Sequence, residues 1–257
     1  MLRAYFDDSG ESEQAVGGCL ASEQSWESLD PAWGAALDDS ELKWFHAKDF
    51  ENARHRDYAH LSRADRDALF DRLLRLIAEH IRPPIGAYIC LILPKAGVEM
   101  SRERGKIDRA SHRKGKRRRT EWERWVDEIV GLYHDPYSIC LGQCLRWLLD
   151  HCGIGPDNQV HVFLAHQENH TAKGARVYKM ATRISRWRAL LSGLSNGREM
   201  NPRCVRPLQV ADFAAYYLAK FYRKSDARAA RAGKTLSPVF IDCCRALSVS
   251  DGWPRED

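Results

Sequence analysis

Apolar positions repeat along this chain with two periods, and the change from one to the other predicts where strands give way to helices. Leu2 to Phe6 and Ala15 to Ala21 are short β-like runs joined by a polar turn, which predicts an antiparallel hairpin. Ile85 to Leu93 is almost wholly apolar, as a strand buried on both faces is, and Pro94 ends it. Val160 to Ala165 is a further strand that delivers His166, Gln167 and Glu168 at its carboxyl end, and Trp187 to Leu194 is assigned as the last. Helical spacing begins at Ser62, where Asp65 completes a capping pair and Leu69, Leu73, Leu76, Ile77 and Ile81 share one face before Pro83 and Pro84. Thr120 and Glu123 make a second capping box ahead of Trp122, Trp125, Val126, Ile129, Val130 and Tyr133. Further helices are expected over Tyr137 to Cys152, closed by Gly153, over Gly174 to Ile184 and over Leu208 to Tyr222. Residues 23–60, with Pro31 and many acids, read as irregular.

The resulting order is strand, strand, inserted helical region, strand, helices, strand, helix, strand, helix. Three antiparallel strands followed by two reached through helical crossovers predict an α/β fold of ribonuclease H-like type, with a mixed five-stranded sheet flanked by helices. Residues 23–84 form the expected helical insertion between strands two and three. The domain is expected to span residues 1–222, leaving 223–257 as a C-terminal basic linker and one short helix.

Composition narrows the class. The chain has 257 residues, 44% of them apolar, with eight Trp, which supplies a core for one elaborated domain. A charged fraction of 29% and a negative mean hydropathy predict a soluble surface, and no apolar run is long enough to cross a membrane. Asp7, Asp8 and Glu11 interrupt the start of the chain, so it lacks the order of a secretory signal, and a cytoplasmic location is expected. None of the eight cysteines falls in a Cys-x-x-Cys pair. Cys140 and Cys144 lie four apart, as a buried helical face or a zinc pair with Cys152 or His151 requires.

The net charge of +5 is unevenly spread. Arg102, Arg104, Lys106, Arg109, Arg113, Lys114, Lys116, Arg117, Arg118 and Arg119 face only Glu103 and Asp108 in the same stretch. That loop, about residues 101–119, therefore carries +8, and the rest of the chain −3. A phosphate-rich partner is expected for it, RNA or DNA, because neutralised phosphates release counterions.

The opening strand runs into Asp7-Asp8-Ser9-Gly10, a pattern that by itself reads first as an ordinary turn and second as a hard-cation site. Asp212 stands in Leu208-Gln209-Val210-Ala211-Asp212-Phe213-Ala214-Ala215, a stretch otherwise apolar enough to be buried. A carboxylate there is costly unless paired, bound to metal, or stationed in a first helical turn. In open α/β sheets functional groups gather beyond the carboxyl ends of strands, where Asp7, Asp8 and Glu168 are expected, and Asp212 can join them.

On these residues the chain resembles the bacterial family catalogued as domain of unknown function 3800. Tyr5-Phe6-Asp7-Asp8-Ser9-Gly10 matches its tyrosine-x-aspartate-glutamate-serine-glycine opening, with Asp8 where the family has Glu. Phe45-His46-Ala47-Lys48-Asp49-Phe50 is similar to its histidine-and-acid motif, and Leu208-Gln209-Val210-Ala211-Asp212 to its leucine-glutamine-x-alanine-aspartate motif. The resemblance implies a ribonuclease H-like fold and a metal-dependent phosphodiesterase. On that basis Asp7, Asp8, Glu168 and Asp212 are expected to hold one or two Mg²⁺ or Mn²⁺ ions, with His166 or His46 as proton shuttle. The expected function is a nuclease. Its alternative is a catalytically inactive nucleic-acid-binding or interaction module on the same fold.

Overall fold

The computed structural model describes residues 1–9, 14–52, 54–82, 87–93, 135–222, 227–236 and 239–242. The basic loop with its ten Lys and Arg, the Trp-rich helix expected over 120–133, and Glu11 lie outside the described residues.

A mixed, open α/β sheet organises the chain. Its strands are β1 (Leu2–Ser9), β2 (Gln14–Ser22), β3 (Ala87–Leu93), β4 (Val160–Leu164), β5 (Leu191–Ser195) and β6 (Val239–Asp242), in the order β5-β4-β1-β2-β3-β6. β1, β2 and β3 form an antiparallel meander; β4 runs parallel to β1, β5 parallel to β4, and β6 parallel to β3. Among the described residues the sheet thus has six strands where five were expected, because the segment read as a C-terminal linker returns to pair with β3.

Among the described residues the α-helices are α1 (Glu23–Asp38), α2 (Ala47–Glu51), α3 (Arg63–His80), α4 (Pro136–His151), α5 (Thr171–Ala181), α6 (Ser185–Arg188), α7 (Arg206–Tyr222) and α8 (Ala227–Leu236). None is long and apolar enough to cross a membrane. Residues 23–38, expected to be irregular, form α1 in spite of Pro31. Trp26, Leu29, Trp33, Ala36 and Leu37 recur at helical spacing and are buried, and the Ser22 hydroxyl caps the helix by accepting from Ser25 N. Burial of that face outweighs the missing proline N–H. Trp187 and Arg188, assigned to the last strand, belong to α6, and the strand itself begins at Leu191.

Alternation along β1 divides the core. Leu2, Ala4 and Phe6 pack with α4, β4 and α5 on one face, whereas Tyr5 packs with α1, α2, α3 and α7 on the other. Cys140 and Cys144 are buried on the α4 face, where the Cys144 thiol contacts Val16 O at 3.6 Å. Helix α7 lies across β1 and β2. Gly17, opposite Asp7 in the ladder, permits this approach: a Cβ there would stand 2.7 Å from Ala215 Cα.

Candidate active site

β1 continues in register to Ser9, so Asp7 and Asp8 sit within the strand rather than in its turn. Their side chains therefore diverge to opposite faces. Asp7 shares the face of Tyr5 and lies under α7; Asp8 lies on the α4 and α5 side, where His170 Nδ1 is 3.4 Å from its Oδ1. The His170 ring stacks on Tyr137 at a centroid distance of 4.2 Å.

Asp212 comes to Asp7 from α7. The helix starts at Arg206, two residues earlier than expected, which places Asp212 in its second turn and removes the first-turn explanation for a buried acid. Only 8% of Asp7 and 5% of Asp212 are exposed. Burial, then the charges of Asp212 and Asp8, hold the Asp7 carboxyl well above its ordinary value, against hydrogen bonds from Asp8 N (2.8 Å) and Gln167 Nε2 (3.2 Å). Burial likewise pushes Asp212 up to about 6, opposed by His46 and by the Ala47 amide. That amide donates to Asp212 Oδ2 at 2.6 Å. As the first residue of α2 it has no partner inside the helix, so the carboxylate takes a donor that the chain leaves free.

His46 immediately precedes α2. Its Nδ1 lies 2.8 Å from Asp49 Oδ2, a contact without hydrogen-bond alignment, and His55 Nε2 approaches the same oxygen at 3.6 Å. The Trp44 ring stacks beside His46, with the Arg203 guanidinium 4.6 Å from the Trp44 centroid.

The structure thus brings together Asp7, Asp212 and His46, with Asp8 on the other side of the strand. Glu168 is exposed in the turn after β4. His166, half-buried, is held through its Nδ1 by the Thr171 hydroxyl at 3.1 Å. Gln167 and His170, from the same turn, reach the acids where Glu168 and His166 were expected to. Gln167 was visible at the strand tip but carries no charge to draw attention, and His170 had no motif around it.

Among the described residues no three His, Cys, Asp or Glu side chains form a group that could hold a metal on their own. The divergence of Asp7 and Asp8, together with the exposure of Glu168 in the turn after β4, keeps the expected four-acid set from forming one cluster. The pair Asp7 and Asp212 nevertheless suits one ion of the magnesium type, which takes hard oxygen ligands from one or two carboxylates and completes its shell with water and substrate phosphate. Two buried acids whose proton affinity is raised, Asp7 in part by the charge of Asp212, are also those that a cation relieves.

No protein-family model matches the chain, and no similar curated protein or solved structure was found.

Proposed function

We propose that this chain is a divalent-metal-dependent hydrolase of phosphodiester bonds in nucleic acid. The observation that carries the reading is the buried pair Asp7 and Asp212, brought to the carboxyl end of β1 from positions far apart in sequence, with proton affinities raised first of all by burial. The strand order β3-β2-β1-β4-β5, antiparallel for three strands and then parallel, supports a ribonuclease H-like core, with β6 an addition beyond β3. The motif resemblance to the family of domain of unknown function 3800 points the same way.

Asp7 and Asp212 are the residues that would hold Mg²⁺ or Mn²⁺, which when bound supplies a Lewis acid for the phosphate and acidifies water. Gln167 fixes the Asp7 carboxylate by donating to Oδ1. The Ala47 amide fixes Asp212 and, being a neutral donor, does so without a competing charge. Asp49 Oδ2 lies 2.8 Å from His46 Nδ1, so Nε2 is the ring nitrogen not faced by that carboxylate and the one assigned to the proton-shuttle role. Enclosure by α7 and the sheet keeps these electrostatic terms strong.

The test is hydrolysis of labelled single- and double-stranded RNA and DNA oligonucleotides by wild type, Asp7→Asn and Asp212→Asn, with Mn²⁺ or with chelator. Cleavage by wild type alone, and only with metal, is expected. Cleavage that survives chelator, or both substitutions, refutes the proposal.

A further inference from the structure

Gln209 is a buried polar side chain beside the site that the chemistry above does not use, at 1% exposure. Its Oε1 accepts from Trp33 Nε1 at 3.0 Å and from Phe45 N at 3.1 Å, while its Nε2 donates to Pro202 O at 2.8 Å. One amide therefore joins α1, the insertion ahead of α2 and the loop ahead of α7. Its orientation is fixed by chemistry, because exchanging oxygen and nitrogen would set donors against two N–H groups and an acceptor against a carbonyl.

Three residues further along α7, on the same face, Asp212 accepts from Ala47 N. Gln209 and Asp212 thus grip Phe45 and Ala47, the two neighbours of His46, whose own N–H donates to the Tyr58 hydroxyl at 2.8 Å. We propose that Gln209 is a positioning residue: by anchoring the Phe45–Ala47 segment to α7 it sets both the amide that holds Asp212 and the place of the His46 ring. An apolar side chain of equal size fills the same space but leaves the Phe45 and Trp33 N–H groups buried without partners, and these then draw the segment towards water. The inference deepens the hydrolase reading and rests on it only for its effect on turnover.

Amide hydrogen exchange of the metal-free protein, without substrate, tests the geometry independently of activity. In wild type the Phe45 and Ala47 amides, though they lie at and before the start of a five-residue helix, are expected to exchange as slowly as amides in the centre of β1 and β4. Gln209→Met should speed both at least tenfold relative to those sheet amides. Gln209→Asn, which keeps the amide but withdraws it by one methylene, should do the same and serves if the Met variant fails to fold. Leu145→Ala, a cavity in the opposite core, controls for general loss of stability and should leave that ratio unchanged. Fast exchange of Phe45 and Ala47 in wild type, or a ratio unmoved by the Gln209 variants, overturns the proposal. With Mn²⁺ and oligonucleotide the Gln209 variants should lose kcat at least tenfold with KM within about threefold. If wild type shows the exchange pattern but no hydrolysis, the hydrolase reading fails and the positioning role stands.

Discussion

Replacing Asp212 with Asn removes a charge the fold holds at a cost, so the metal-free variant should be more stable than wild type at neutral pH. The Asp212 carboxyl is raised from an ordinary value of 3.8 to about 6. At about 1.4 kcal/mol per pH unit, a shift of this size costs the ionised native state about 3 kcal/mol. The native state takes up its proton at higher pH than the unfolded chain does. The associated stability is therefore fully present below pH 3.8 and is lost as pH rises to about 6 and beyond. Asn keeps an oxygen to accept from the Ala47 amide but cannot ionise. Its NH₂ needs a new acceptor in a buried site, which makes about 3 kcal/mol an upper figure. For a chain of this size that gain is on the order of 6–12 °C in melting temperature. The assay is thermal unfolding of both proteins in chelator from pH 4 to 8. The wild-type curve should fall relative to the variant between pH 4 and 6 and stay lower above it; a variant less stable at pH 7, or a difference that does not change with pH, refutes the argument.

Other consequences follow from the same geometry. Because Asp8 faces away from Asp7, Asp8→Asn should leave Mn²⁺ affinity within about threefold of wild type while Asp7→Asn reduces it at least a hundredfold, as titration calorimetry will read. Gly17→Ala drives a methyl group against the backbone of α7 at Ala215. It should cost on the order of 1–3 kcal/mol in denaturant unfolding and weaken Mn²⁺ binding as well, by lifting Asp212 from Asp7. Deleting residues 102–118 should flatten the salt dependence of binding to long nucleic acid and reduce cleavage at moderate salt, measured as the slope of log affinity against log salt.

The strands were legible wherever one period dominated. β1, β2 and β4 fall close to their apolar runs, because a buried sheet demands such runs and tolerates few substitutes. α1 was not legible, since Pro31 and the surrounding acids obscured a face of Trp and Leu that only tertiary burial reveals. β6 is four residues long, too short for its pattern to stand out. In the site, Asp7 and Asp212 were visible as acids in apolar surroundings. Glu168 was misplaced because a strand tip predicts a neighbourhood but not which of three consecutive side chains turns inward. Gln209 and Ala47 stood inside motifs quoted for the resemblance, but the roles of Gln167, Gln209 and the Ala47 amide rest on uncharged amide groups whose partners only the fold reveals.

The central claim, that Asp7 and Asp212 form one cation site, is tested most directly by calorimetric titration of Mn²⁺ into metal-free wild type, Asp7→Asn and Asp212→Asn. One Mn²⁺ bound per wild-type chain, and binding lost in both variants, is the predicted result. No binding to wild type, or binding that persists when either aspartate is replaced, contradicts it.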